Sequence, residues 1–163
     1  MLWAPQMNRQ DIPFAPPKAI GSKPAEVRRY WAGLKRGGND IPFSDDLRLT
    51  ALPDLASALV VIDVFALPQR FRLNVVGDDW RRDGATDVAG RFLDEVQPTS
   101  GFEFLQSQCA ATVESGKPTW YGPRDAARSV EKTPLYERLL LPMWCDGRIN
   151  MILGVIHRRQ VHH

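Results

Sequence analysis

The chain has 163 residues, of which 44% are hydrophobic and 25% charged, a composition typical of one soluble globular domain. Its 21 basic and 19 acidic residues nearly balance, and a net charge of +2 argues against a polybasic surface for nucleic acid or membranes. Two cysteines are too few for a disulfide framework or a four-ligand zinc site. We expect no separate kinase or nucleotide-cyclase module in a chain of this length.

The first 24 residues contain five prolines and no apolar periodicity. Because proline removes backbone donors and favours extended neighbours, we interpret residues 1–24 as an arm that lies on the surface, joins a partner subunit or is disordered. The arm lacks the basic and apolar regions of a signal peptide. The longest apolar run, residues 58–62, is far shorter than the roughly 20 residues of a membrane span. We therefore expect a cytoplasmic protein that does not enter a membrane.

Two segments are typical of amphipathic α-helices. The first, residues 25–36, ends at a pair of glycines and carries one apolar stripe at helical spacing. The second runs from Phe102 to Ser115. A less regular stretch, residues 45–52, is also predicted to be helical. The apolar stripe of the first helix consists of Val27, Tyr30, Trp31 and Leu34.

Five segments are typical of β-strands. Residues 59–65 are almost all apolar and residues 70–76 alternate between polar and apolar, which predicts a hairpin. Three more strands are predicted over residues 119–121, 135–144 and 148–157, and the Asp-Gly pair between the last two is a hairpin signal. Short helical turns are predicted between the two groups of strands.

The sequence offers few groups for catalysis. It contains no phosphate-binding glycine loop, no nucleophile elbow and no His-Glu-x-x-His motif. All three histidines lie in the last seven residues, so a histidine-activated nucleophile would need His157 or the tail, and we interpret His157 as a surface residue. Asp63 stands inside an apolar strand and is either a polar group in a pocket or, as we prefer, an outward-facing residue. Cys109 is predicted to be a small buried hydrophobe.

The order of the elements resembles that of a PAS domain, and shorter patterns resemble a bacterial family of small single-domain PAS proteins. Residues 30–38, YWAGLKRGG, are similar to the family's opening Tyr-Trp-x-x-Leu-Arg-x-Gly. Residues 84–90, GATDVAG, resemble its Gly-Arg-Asp-Leu-Thr-Gly, and residues 141–147, LPMWCDG, resemble its Leu-Pro-Leu-x-x-Asp-Gly. The chain departs from the family at Ser44, where arginine is expected, and at Arg48-Leu49, which replace an Asp-Pro pair.

The resemblance implies an α+β fold: a PAS-like five-stranded antiparallel sheet with helices packed on one face and an N-terminal flanking helix. It divides the chain into a proline-rich arm (1–24), a PAS-like domain (25–157) whose leading helix is residues 25–36, and a C-terminal tail (158–163).

For function, the resemblance implies a non-catalytic sensory or protein-interaction module that signals to a partner protein in trans. The apolar stripe of the first helix is expected to mediate a homodimer or docking contact. The cleft between sheet and helices is expected to bind a small apolar ligand or to be filled by the protein's own side chains. The expected lining of that cleft is Leu73, Val75, Trp80, Phe92, Leu105, Cys109, Leu139, Leu141, Met151 and Leu153.

Two other functions stay open. One is a small cavity enzyme with an NTF2-like fold, an isomerase or hydrolase, for which Asp63 is the only plausible buried acid. The other is a structural adaptor without a ligand. We predict no metal and no cofactor: haem would need a histidine on the second helix, and residues 104–106, FLQ, lack the Asn-Cys of a flavin photosensor and lie on the wrong element. The arginine pairs at 81–82 and 158–159 are interpreted as solvated surface, so nucleic acid is not an expected partner.

Overall fold

The computed structural model describes residues 13–81, 87–99, 101–123 and 135–158. Within these ranges the chain forms two α-helices and five β-strands, joined in part by short 3-10 turns. The helices are α1 (Ser22–Gly33) and α2 (Leu105–Ser115). The strands are β1 (Leu59–Phe65), β2 (Arg70–Val76), β3 (Thr119–Tyr121), β4 (Tyr136–Cys145) and β5 (Arg148–Arg158).

The five strands form one antiparallel sheet in the order β2-β1-β5-β4-β3. The two central strands pair along the middle of the sheet, with Leu59 opposite Val155 and Ile62 opposite Ile152. The sheet is open, with β2 and β3 as its edge strands. The predicted α+β class and the five-stranded antiparallel sheet are therefore confirmed.

Other segments of the chain cover both faces of the sheet, and a separate apolar cluster lies on each face. One cluster, here called the α2-side core, contains Val60, Ile62 and Leu140 from the sheet and Leu105 and Cys109 from α2. The other, the α1-side core, packs different residues of the same strands against α1 and the turn Pro53–Ala58. It includes Val27, Trp31, Leu55, Leu59, Val61, Leu139, Leu141, Leu153 and Val155.

This two-sided burial explains the composition of β1. Side chains of a strand point alternately to the two faces of its sheet, and a strand covered on both faces is apolar at nearly every position. In β1, Val60 and Ile62 belong to the α2-side core, whereas Leu59 and Val61 belong to the α1-side core. The unbroken apolar run thus marks a central strand of the sheet.

Both edges of the sheet are capped by other segments of the chain. On the β3 edge, the Trp120 N–H donates a 2.7 Å hydrogen bond to the Phe14 carbonyl. On the β2 edge, the Leu73 N–H donates to the Arg91 carbonyl at 2.8 Å, and the Gly90 N–H donates to the Leu73 carbonyl. These bonds occupy backbone groups through which an open edge strand would pair with another chain.

The structure differs from the predicted element bounds at a few positions. α1 begins at Ser22, inside the segment predicted to be an arm, and the described part of that arm is packed against β3. α2 begins three residues later than predicted because Phe104 has a φ of 58°, in the left-handed region that an α-helix does not continue. The predicted helix over residues 45–52 consists instead of short 3-10 turns. No helix among the described residues is long and apolar enough to cross a membrane.

Candidate functional site

The ten residues predicted to line one cleft lie in three different places. Leu73, Trp80, Leu105 and Cys109 belong to the α2-side core. Leu139, Leu141, Leu153 and the half-buried Met151 lie on the α1 side of the sheet. Val75 is exposed, and Phe92 lies at the outer edge of β2, bridged to Arg72. The structure therefore does not bring the ten residues together in one cleft, because the sheet lies between those of β4 and β5 and those of α2.

The α2-side core is closely packed around Trp80 in the part of the chain that the structure describes. Trp80, which we expected near a cleft, is fully buried, and its indole N–H donates a 2.7 Å hydrogen bond to the Ala58 carbonyl. Gly154 makes room for this packing, since a Cβ there would lie 2.6 Å from Val60 Cγ1 and 2.8 Å from Leu140 Cδ2. The described residues around Trp80 and Gly154 are therefore closely packed.

The stripe predicted as an interface is largely covered within the chain. Val27 and Trp31 are buried in the α1-side core, and the Trp31 indole N–H donates a 2.8 Å hydrogen bond to the Pro142 carbonyl. Tyr30 and Leu34 are half-buried and pack against the same core, and the Tyr30 hydroxyl accepts from the Arg48 N–H at 2.9 Å. The apolar face of α1 thus docks onto the chain's own sheet. A dimer contact on this helix would have to use its polar face.

The most unusual group in the described interior is Arg138, which sequence reasoning missed. Its side chain is fully buried on the α2 side of β4. Nε donates to Gln108 Oε1 at 2.7 Å, Nη1 donates to the Gly101 carbonyl at 2.8 Å, and Nη2 donates to the Glu103 carbonyl at 2.9 Å. Burial lowers the pKa of this guanidinium, but arginine starts so high that it stays charged. Arg138 therefore ties β4 to α2 and to the turn that precedes α2.

Aromatic rings surround the guanidinium. Its Cζ atom lies 4.8 Å from the ring centroid of Tyr121 and 6.0 Å from that of Tyr136, within the range of cation–π attraction. The Tyr136 hydroxyl donates to Glu103 Oε1 at 3.3 Å, and burial raises the pKa of this phenol well above its ordinary range. A protonated tyrosine held in this way is a structural donor rather than a base.

A chain of hydrogen bonds leads from Arg138 to the surface. Gln108, which accepts from Arg138, donates through Nε2 to the Thr119 hydroxyl at 3.1 Å. The hydroxyls of Thr119 and Thr112 are 2.6 Å apart, and the Thr112 hydroxyl also donates to the Gln108 carbonyl at 2.9 Å. All four residues are buried. Thr119 is the member of this network that reaches the wall of an external groove.

That groove, here called the N-terminal groove, has a volume of about 1130 Å³. It lies beside the β3 edge, where the segment 13–18 approaches the C-terminal end of α2. Its walls combine rings and small apolar groups with four charged side chains. The lining residues are Pro13, Phe14, Ala15, Pro16, Pro17, Lys18, Arg28, Ala111, Glu114, Ser115, Lys117, Pro118 and Thr119.

The charge of the groove is predominantly positive. Lys18, Arg28 and Lys117 face a single carboxylate, that of Glu114, so the lining carries a net charge of +2 from three cations and one anion. Within the described part of the chain none of the three cations forms an ion pair. Ligand sites in proteins are mostly apolar surfaces with a few polar groups that fix orientation, and the N-terminal groove has this composition.

The other candidate chemical groups do not converge on the groove. Asp63 accepts from Arg72 Nη2 at 2.8 Å and from Asn74 Nδ2 at 3.1 Å, in an ion pair on the β1–β2 hairpin, and its hydrogen-bond partners among the described residues include no tyrosine. Cys109 is fully buried, and burial raises the pKa of its thiol to about 12, as expected of an inert buried cysteine. His157 is half-buried at the end of β5. The described residues contain no group of three metal-ligating side chains.

A sequence signal existed for Arg138 but not for the groove. Arg138 stands in a run of apolar residues in β4, next to Leu139, Leu140 and Leu141. An arginine at a position that the strand period assigns to a buried face is a candidate for a buried polar network. The groove joins residues up to 106 positions apart in the sequence, from Pro13 to Thr119, so no local pattern could indicate it.

Comparisons of the chain with protein-family models, with curated proteins and with solved structures found no match. The candidate site therefore has to be interpreted from its own geometry.

Proposed function

We propose that this protein is a non-catalytic, PAS-like interaction and sensory module that signals to a partner protein in trans. The observation that carries the proposal is the architecture: a five-stranded antiparallel sheet with α2 on one face and the N-terminal helix on the other. The five-stranded antiparallel sheet, the helices packed against it and the N-terminal helix are features that the PAS resemblance implies. The resemblance adds the function, because domains of that kind act by contact with other proteins.

The chemistry of the described interior favours a binding module over an enzyme. Acid–base catalysis needs titratable groups that converge on a space for substrate. Asp63 is paired with Arg72 outside such a space, and Arg138 donates its hydrogen bonds to fixed acceptors of the chain. Cys109 and Tyr136 are held protonated by burial. The competing NTF2-like enzyme would require a buried acid beside a tyrosine, and Asp63 does not provide one.

The proposal is tested by finding the partner from defined surface positions. A photo-reactive amino acid is placed at Arg29 on the exposed face of α1, with Leu67, 97% exposed in the β1–β2 turn, as the matched control position. We expect irradiation in the native host to cross-link one protein preferentially from Arg29, and not from the control position. That partner, purified, should bind this chain and change its own activity on binding. Equal, non-selective cross-linking, or a partner whose activity does not respond, would overturn the proposal.

The enzyme alternative is tested separately. If the protein is an NTF2-like isomerase or hydrolase, turnover of ketosteroid or ester probes should be detectable and should disappear in Asp63→Asn. We expect no turnover above background in either the parent or this variant. Turnover that depends on Asp63 would replace the proposed function by an enzymatic one.

A further inference from the structure

We propose that the N-terminal groove binds a small amphipathic anion, an apolar chain or ring that ends in a carboxylate. The inference rests on the proposed function as a sensory module and supplies the ligand class that such a module would sense. It also places the ligand at the surface beside β3, rather than in the interior between the sheet and α2, which is closely packed around Trp80 and Gly154.

The shape of the groove suits the apolar part of such a ligand. Its lining includes Phe14, Pro16 and Pro17, whose rings present apolar surface with little conformational freedom to lose on binding. Ala111 on α2 and Pro118 before β3 add further apolar surface. Phe14 is itself fixed, since its ring lies 6.4 Å from that of Tyr121 and its carbonyl accepts from Trp120. The walls are therefore in place before a ligand arrives.

The charges select the head group. Three cations line the groove against one carboxylate, and none of the three is neutralised by an ion pair within the described residues. Arg28 can bind a carboxylate through two parallel N–H bonds, whereas Lys18 and Lys117 act as mobile point charges. The carboxylate of Glu114 repels an anionic ligand, but the three cations of the lining exceed it in charge. A cationic amphiphile would be repelled by the three cations and attracted only by Glu114, so it would bind more weakly.

The groove also has a built connection to the core. Thr119 in its wall is bonded to Gln108, and Gln108 holds Arg138 between α2 and β4. A ligand that presses on the β3 end of this network contacts groups that join the sheet to α2. Binding at the surface is thus linked by four buried side chains to the packing of the whole α2 layer.

The experiment uses four probes on the full-length chain, below the concentration at which any of them forms micelles. They are decanoate, decyltrimethylammonium, 1,2-decanediol and acetate, and binding is followed by amide chemical shifts in the ¹⁵N-labelled protein. We expect saturable binding of decanoate with shifts in residues 13–18 and 111–119, at least fivefold weaker binding of the cationic and neutral amphiphiles, and no saturable binding of acetate.

Charge variants test the assignment of the head-group site. Arg28→Gln, Lys18→Gln and Lys117→Gln should each weaken decanoate binding by roughly twofold to fivefold, the range for exposed ion pairs. Arg29→Gln, on the same helix but outside the groove, is the matched control and should leave the affinity unchanged. Ala111→Trp fills the groove and should abolish binding while the far end of the sheet keeps its amide spectrum.

The outcomes separate this inference from the proposed function. Equal binding of the anionic, cationic and neutral amphiphiles would overturn the anion class, and equal losses in Arg28→Gln and Arg29→Gln would overturn the site. No binding of any amphiphile would overturn the groove as a ligand site altogether. None of these results changes the cross-linking test, by which the partner-binding function stands or falls.

Discussion

Arg138 connects β4 to α2 and to the turn before α2, which lie at least 30 positions earlier in the sequence. Its bonds to Gln108, to the Gly101 carbonyl and to the Glu103 carbonyl join β4, α2 and the turn before α2. A buried charge is costly unless its hydrogen bonds are made. Here the acceptors are mostly backbone carbonyls, which no single substitution removes. Loss of the arginine therefore leaves buried acceptors without donors.

We predict that Arg138→Leu lowers the free energy of unfolding by about 3 kcal/mol, since three charge-assisted hydrogen bonds are lost and their acceptors remain buried without a donor. Arg138→Lys should also be destabilising, because one ammonium cannot reach three acceptors in the fork geometry of a guanidinium. The measurement is urea unfolding at neutral pH. Arg91→Leu, at an exposed position, is the control and should change stability by less than about 0.5 kcal/mol. An Arg138→Leu variant as stable as this control would contradict the structural role.

The thiol of Cys109 makes stability depend on alkaline pH. Burial raises its pKa from 9.0 to about 12 in the folded chain. Below pH 9 both states hold the proton and the thiol has no effect. Above pH 9 the unfolded state loses the proton first, so stability falls as pH rises through the range from 9 to 12, by up to about 1.4 kcal/mol per pH unit.

We predict that this loss is steeper in the parent protein than in Cys109→Ala, in which the titrations of lysines and tyrosines are the same. The measurement is the urea midpoint of both proteins at several pH values from 8 upward. Alkylation gives a second readout: iodoacetamide should modify the half-buried Cys145 in the folded protein, and Cys109 only after unfolding. Parallel pH curves for the two proteins, or rapid native alkylation of Cys109, would contradict the prediction.

At the scale of elements, α1 stabilises the fold rather than presenting a free apolar face. Trp31 and Val27 both belong to the α1-side core, and the Trp31 indole N–H donates to the Pro142 carbonyl. We predict that Trp31→Ala lowers the free energy of unfolding by roughly 3–5 kcal/mol, as for other large-to-small changes in a core. Arg29→Ala, on the exposed side of the same helix, should have little effect.

The same pair of variants separates this role from the dimer contact expected from the sequence. If Trp31 served an interface between subunits, Trp31→Ala would change the mass of the particle in light scattering and leave the stability of the subunit intact. We expect the reverse: a large loss in urea unfolding and the same mass as the parent under native conditions.

The elements themselves were largely predictable from sequence, whereas their sidedness was not. β1 and β2 have the predicted bounds because β-branched runs and polar–apolar alternation report strands directly. Leu139 and Cys109 were nevertheless assigned to one cleft, although they lie on opposite faces of the sheet. An alternating strand reveals which residues share a face, but which helix covers that face depends on contacts distant in sequence. The apolar run around Arg138 marked it as a candidate for a buried network, but its acceptors could not be identified from sequence, since they precede it by 30 to 37 positions.

At the scale of the whole molecule, the sheet is a divider between two independent cores, and its two edges are closed by different means. The segment 90–92 bonds to β2, and the segment that precedes α1 bonds to β3. The segment that caps β3 has a second role, because residues 13–18 also line the N-terminal groove. Edge protection and the candidate ligand site therefore depend on the same stretch of chain.

The contribution of residues 13–21 to stability and edge protection can be tested by comparing a chain that begins at Pro13 with one that begins at Ser22. The shorter chain loses the bond from Trp120 to the Phe14 carbonyl, the packing of Phe14 on Tyr121 and the bond from the Gly21 N–H to Glu137 Oε1. We predict that the free energy of unfolding of the shorter chain, measured in urea, is lower by about 1–3 kcal/mol.

Because β3 then presents an unpaired edge, the mass of the shorter chain in light scattering should rise with concentration more than that of the longer chain. It should also lose decanoate binding, since one wall of the groove is gone. Equal stability and equal self-association of the two chains would mean that residues 13–21 neither cap β3 nor support the fold.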